Sequence, residues 1–511
     1  MNNTAARNWW ESPWTVLALT LLAAVPLLSP AIPPLVDLPG HMAGYRIQME
    51  HGVSPYIDRY YLFDDWVIGN LGVNLLVIPL SKLVGFEPAV KLVVTSIPPL
   101  MVLGLLWSAH EAHGRIPPTA LFAVPLAYSF PFNFGFVNFA LSMALAYVAF
   151  GLWLMLGRLG KLRLRTALFV PISLLLWLAH TFGWATFCVL AFSGELVREL
   201  EQRRLVAAGW HAGLRCWPLA APIVAMVIWR TKPVEGATTG WNPVDKFNYL
   251  LTPFRSRWRW LDMGTLALTL GVVALAIRGR RLAFVRPVAL AALIFLGLYL
   301  ALPRLIFGSA YADLRLVPFI LATALIAIAP LPSATPKWRA GLALAGLTFI
   351  LVRFGAETVS LAIYDRSFTH ELAALDHVPR GARMVTFTGT SCRNIWTMTR
   401  LDHLAGMAVV RREAFSNDQW STRGALLARA NYPEAGAFAK DPSQIVRLTN
   451  CSVNRWPTLD ESLRKFPRAA FDYVWLINAP PHDPKLLQGL EPVWQSGNSA
   501  LYRIVDHSQP R

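Results

Sequence analysis

The stretch from Trp14 to His41 reads WTVLALTLLAAVPLLSPAIPPLVDLPGH. From Trp14 to Ile32 it carries no charged residue, which is long enough to enter a bilayer core. It is longer than the core of a signal peptide and lacks a small-x-small cleavage site, so it reads as an uncleaved first span. At its mouth stands Val36-Asp-Leu-Pro-Gly-His41. Pro39 suits the first turn of a helix and Asp37 its cap position. A carboxylate there can serve as a general base, with His41 as hydrogen-bond partner or metal co-ligand. A plain helix cap beside a surface histidine accounts for the same residues.

Composition extends this reading to the whole chain. Of 511 residues, 55% are hydrophobic and only 15% charged, with a mean hydropathy of +0.42. A water-exposed chain of this length needs more charge to cover its surface, so a polytopic membrane protein is expected. Disordered, collagen-like and disulfide-scaffold classes are excluded, and four cysteines exclude a cysteine-rich zinc protein. The net charge of +17 does not point to nucleic acid. The basic residues gather in short loops, where they set topology and meet membrane lipids, and no RNP-like motif or aromatic-basic platform occurs.

Apolar runs predict about eleven spans, at 14–32, 89–109, 118–133, 136–157, 166–180, 182–197, 216–230, 262–277, 287–306, 316–332 and 340–359. The run 70–84, interrupted by Asn74, Pro79 and Lys82, is expected to be an interfacial helix. Basic loops at 158–165, 195–215, 278–286 and 333–339 then all face the cytoplasm if the N-terminus does. The expected fold is mostly α: a transmembrane helical bundle over 1–365, with a first external loop at 33–88. A soluble α/β or α+β domain over 366–511 follows and faces the periplasm. Strands are expected at Ala382–Thr388, Phe471–Asn478 and Ala500–Val505. An exported domain meets an oxidising compartment, which predicts a Cys392–Cys451 disulfide.

Polar groups at odds with lipid mark candidate function. Asp64 and Asp65 are adjacent acids among aromatics, suited to sugar or cation contact or to an interfacial belt. His180 breaks an apolar run at the apex of a short hairpin. Asn133 and Asn138 flank a second external break, where they contact substrate or cap helices. Arg255, Arg257 and Arg259 among tryptophans, and Asp313 with Arg315 at a membrane edge, suit a phosphate headgroup. Anchoring to ordinary phospholipid explains the triplet equally well.

This layout resembles the GT-C superfamily of membrane glycosyltransferases, which includes protein O-mannosyltransferases and lipid A aminoarabinose transferases. The likeness rests on the acidic motif Asp37-Leu-Pro-Gly-His41 after the first span, the interfacial helix, the paired short helices and the C-terminal domain. It spans the whole chain and implies an inverting transferase in a bacterial inner membrane. The family's presumed base maps onto Asp37 and its basic residue near the donor phosphate onto Arg315, while the residues themselves add His41, about one turn on, and His180, at the hairpin apex, as neighbours of Asp37. The implied donor is a polyprenyl-phosphate-linked sugar and the acceptor a glycan, lipid or protein. Where the family often has a second acid, this chain has Leu38, so no cofactor is assigned and a divalent cation stays an open choice. No Walker loop, dinucleotide fingerprint, His-Glu-x-x-His or Gly-x-Ser-x-Gly motif occurs. A transporter or flippase for lipid-linked glycans, and a catalytically inactive scaffold of the same fold, are the competing readings.

Overall fold

A computed structural model describes residues 8–64, 67–229, 239–306, 309–391, 396–422, 426–448 and 456–509. Cys392, Cys451 and Asp65 lie outside these residues. Cys188 and Cys216 are free thiols.

Helices follow the apolar runs. Among the described residues, five are long and apolar enough to cross a membrane: Phe86–His113, Val137–Arg158, Leu162–Ala179, Arg259–Ile277 and the first part of Pro336–His377. Shorter apolar helices include Pro13–Leu22, Gly72–Val84, Arg286–Ala301 and Val317–Ile326. Leu175, Leu270, Ile277, Leu293 and Leu351 are exposed along their flanks. Rows of bare leucine are costly in water and are ordinary against lipid chains. Helices approach closely where a side chain is missing. A Cβ on Gly104 would lie 2.9 Å from Tyr147 of the neighbouring helix, and Ser108 donates to the Tyr147 carbonyl at 2.7 Å.

Two expected spans take another form. Residues 118–133 form a 3₁₀ helix, Pro118–Tyr128, and a short helix, Phe130–Phe134, instead of one α-helix. Pro117, Pro118, Pro125 and Pro131 remove the donors that an α-helix would need there. Every residue of Pro118–Tyr128 is buried, so protein rather than lipid surrounds it. The first run is likewise broken by Pro26: the helix Pro13–Leu22 gives way to the 3₁₀ turn Val25–Leu27.

The basic loops carry their own counter-charges. Arg158 pairs with Glu111 at 2.8 Å, Arg165 with Glu195 at 2.9 Å, and Arg203 and Arg215 with Glu199 at 2.9 and 2.8 Å.

The helix Pro336–Leu372 continues through residue 365 and leads into the C-terminal sheet. The central strand Arg383–Thr390 lies parallel to Tyr473–Ile477, with Val385 opposite Val474. Phe415–Ser416 and Ile445–Arg447 also pair with it in parallel. Ser499–Ile504 runs antiparallel to Tyr473–Ile477 and to Leu490–Ser496. All three expected strands are present, shifted by one or two residues.

The sheet domain is stitched to the first loop. Tyr61–Phe63 pairs antiparallel with Ala428–Ala430, and Asp64 takes a two-pronged bond from Arg429 at 3.0 Å on each prong. The helix Leu38–Glu50 packs on Leu404–Gly406 and Met407–Arg412. Residues from the two ends of the chain therefore share one floor.

Candidate functional site

Asp37 occupies the N-cap position of Leu38–Glu50, as its spacing from Pro39 predicts. Its carboxylate makes no capping bond, however. The backbone does the anchoring: Asp37 N–H donates to Phe134 O at 2.9 Å, and the helix's first bond runs from His41 N–H to Asp37 O at 3.0 Å. Gly135 makes this possible. It sits at φ +100°, and a Cβ there would fall 2.7 Å from Asp37 N. Asp37 is left buried, 8% exposed, with its carboxylate unspent on the helix end.

It faces a partly open cavity of about 180 Å³. Asp37, His41, Asn138, His180 and Arg315 line that one cavity, with Phe136, Phe139 and Trp420 among its walls. His41 stands one turn after Asp37 between Tyr45 and Trp420, whose ring centroids lie 6.3 and 4.9 Å away. Asn138 ties the neighbouring loop: its Oδ1 accepts from Val73 N–H at 2.6 Å and its Nδ2 donates to Asn70 O at 2.9 Å.

His180 separates the helices Leu162–Ala179 and Thr181–Leu200 and caps the second. Its Nδ1 accepts from Phe182 N–H at 3.1 Å. A neutral imidazole has one acceptor nitrogen, so Nε2 must carry the proton. Arg315 Nη1 lies 3.4 Å from that Nε2. Two donors thus stand side by side, each under a tenth exposed, and the Arg315 Nε has no partner among the described residues. Phe136 lies under the guanidinium, 4.0 Å from ring centroid to Cζ. An oxyanion at the cavity mouth would satisfy both donors.

Other sequence candidates serve elsewhere. Asp313 does not face the cavity: its Oδ1 accepts from Leu314 N–H at 2.8 Å and its Oδ2 pairs with buried Lys246 at 3.0 Å, fixing the turn that presents Arg315. Asn133 is fully buried and accepts from Arg400 Nη2 at 3.2 Å. Arg255 donates to Trp396 O at 2.9 Å, Arg257 lies over Tyr364 at 5.0 Å, and Arg259 lies over Trp260 at 5.9 Å. None of the triplet, and neither Asn133, Asp64 nor Asp313, lines the cavity.

Three further residues at the site, His403, Asp418 and Trp420, all come from the C-terminal domain. His403 Nε2 is 3.8 Å from Asp37 Oδ1, and His403 Nδ1 is 2.7 Å from Asp418 Oδ1. Trp420 lies against His403, with centroids 4.6 Å apart. Asp418 is held by Gly406 N–H at 2.8 Å and by Gln444 Nε2 at 2.9 Å. Their only sequence signal is a cluster of polar residues, Asp402-His403 and Asn417-Asp-Gln-Trp420, in a domain with no apolar run.

Burial raises the Asp37 carboxyl to about 7, with His403 and Arg315 pulling it down. Burial lowers His41 to about 3, helped by the charges of His403 and Arg315, so it is neutral. Burial also disfavours a charged His403, but Asp418, Asp37 and Asp441 outweigh it and raise the imidazole to about 10. Asp418 is raised by burial to about 6 against the pull of His403.

His403, Asp418 and Asp441 bring one ligand atom each within 4.8 Å of one another, a spacing a metal ion could use. Donors already fill that space. Besides its bond to Asp418, Gln444 Nε2 donates to Asp441 Oδ1 at 2.7 Å, and His403 takes the second place at Asp418.

No family model matches the sequence, and no curated protein sequence matches it. Solved structures do. The crystal structure of ArnT from Cupriavidus metallidurans in the apo state aligns with a TM-score of 0.50 at 11% identity, covering 96% of this chain and 97% of that one. ArnT is an aminoarabinose transferase of the GT-C type. At this identity the likeness is one of fold alone, and it covers nearly the whole of both chains: the chain has an ArnT-like fold.

Proposed function

We propose that the chain is a membrane glycosyltransferase that moves a sugar from a polyprenyl-phosphate donor to an acceptor hydroxyl, with inversion at the anomeric carbon. The observation that carries this reading is the pairing of chemistries across one cavity: an uncapped, buried Asp37 facing Arg315 and the Nε2–H of His180. Asp37 takes the acceptor proton, and a carboxyl near 7 suits a base at neutral pH. The freed oxygen attacks the anomeric carbon as its bond to the phosphate oxygen breaks. The leaving phosphate keeps the electron pair and is received by Arg315 and His180. A lipid-linked donor presents its phosphate at the membrane edge, beside the apolar helices that carry these residues. Nucleotide sugars are absent from the periplasm, where we place the cavity and the C-terminal domain, with the N-terminus in the cytoplasm. The boundary between membrane and soluble parts is placed near residue 365.

The test uses the full-length protein in proteoliposomes, offered polyprenyl-phosphate sugars or nucleotide sugars. Release of free polyprenyl phosphate with acceptor labelling supports the reading. Turnover of nucleotide sugars alone, or movement of an intact lipid-linked glycan across the bilayer, contradicts it.

A further inference from the structure

Asp37 is not held by the membrane helices alone. The backbone of Leu404–Gly406 rests directly on the turn that starts the Asp37 helix: a Cβ on Gly406 would meet Pro39 O at 2.7 Å and Gly40 Cα at 3.1 Å. A side chain at 406 would lift the domain off this turn. Seated there, the segment delivers His403 against Asp37 with one imidazole nitrogen facing each of two carboxylates. An imidazole flanked in this way is suited to the doubly protonated form, in which both nitrogens donate. Asp418 in turn accepts from Gly406 N–H, Gln444 and His403, so its position is set from three sides. Trp420 closes the face of the ring.

We propose that His403, carried by the C-terminal domain and fixed by Asp418, is a positioning residue that pairs with Asp37 and keeps it a carboxylate aimed into the cavity. The proposal rests on the reading of Asp37 as the base, and it gives the soluble domain a part in the chemistry. His403 acts through Asp37 and does not itself bond the reacting atoms. Asp37 is also faced by Arg315 from the membrane part, by Asp402 and Asp441 from the C-terminal domain, and by neutral His41 on its own helix. His403 is faced by Asp418, Asp37 and Asp441. Arg315 lies on the phosphate side, so removing His403 leaves Asp37 with a single favourable charge inside a buried site.

The test is infrared titration of the purified full-length protein, in which the protonated Asp37 carbonyl is the band lost in Asp37→Asn. In His403→Gln the midpoint of that band is expected to rise by about 1 to 3 pH units, the usual effect of removing a close opposite charge. Asp418→Asn is expected to raise it less, because the imidazole loses its partner but stays in place. The acid limb of any transfer activity is expected to move with the band, with donor KM unchanged. An unmoved midpoint in His403→Gln overturns the proposal. Should that variant fail to fold, an unmoved midpoint in Asp418→Asn does so. The spectroscopic result is independent of turnover: loss of the transferase reading shows as absent transfer with any donor, while the band still shifts.

Discussion

His403 Nε2 lies 3.8 Å from Asp37 Oδ1, although the two residues come from opposite ends of the chain. The contact ties the mouth of the first apolar run to the C-terminal sheet domain, and it turns two separate polar clusters into one site. It also sets the pH behaviour of that site.

Transfer is expected to rise with pH along an acid limb that reports Asp37 losing its proton at about 7. Stability should move one way only. Asp37 is raised from 3.8, so the folded state holds its proton more tightly than the unfolded chain does, and stability falls as pH rises from about 3.8 through about 7. His403 is raised from 6.5, so its contribution is complete below that value and is lost as pH climbs through about 10. The thermal midpoint of wild type minus that of Asp37→Asn, measured from pH 4 to pH 8, should decline with pH. A rising difference would contradict the burial assigned to Asp37.

Arg315→Ala should raise the donor KM by roughly ten- to a hundred-fold, since a charge-assisted bond contributes about 1.5–3 kcal/mol. Arg315→Lys should recover part of it. His180 separates two roles. His180→Asn keeps an acceptor for Phe182 N–H but removes the Nε2 donor, so it should weaken donor binding with little loss of stability. His180→Ala removes both, at a further cost of about 0.5–2 kcal/mol for the lost cap. Steady-state kinetics with thermal unfolding distinguishes the two variants.

Gly135→Ala should fold poorly or lose transfer with donor binding intact. Its φ of +100° strains any other residue, and the new Cβ must displace Asp37 from below. A fully active variant would show that the Asp37 backbone is not fixed as described.

Asp262→Ala should destabilise the protein by about 3–5 kcal/mol, because it strips a buried arginine of one partner. Arg353 Nη1 meets Asp262 at 2.6 Å, its Nη2 meets Glu357 at 3.1 Å, and Trp396 Nε1 also donates to Asp262 at 2.6 Å. Unfolding in mixed micelles measures the loss.

Local signals were legible in the sequence. The apolar runs predict most helices, and enrichment in Val, Tyr, Phe and Ile predicts the three strands. The Asp37 motif, the break at His180 and Arg315 were each visible because a polar residue interrupts an apolar pattern. The same rule misled at Asp64, Asn133, Asp313 and Arg255, where the polar group answers another protein group: Arg429, Arg400, Lys246 and the Trp396 carbonyl. Interruption shows that a polar group needs a partner and not whether the partner is a ligand. Residues 118–133 have the length and apolarity of a span, but their prolines turn them into a buried 3₁₀ helix and a short α-helix. His403 and Asp418 carry no such signal, since polar residues are unremarked in a sheet domain without apolar runs and their link to Asp37 is purely tertiary.

The most direct measurement is release of free polyprenyl phosphate from a polyprenyl-phosphate sugar by the reconstituted wild type and by Asp37→Asn at neutral pH. Asparagine keeps the size of the side chain and cannot take the proton. The variant is expected to fold, insert, bind donor with wild-type affinity and turn over about 10²–10⁴-fold more slowly. Near-normal release by Asp37→Asn would contradict the reading of Asp37 as the base.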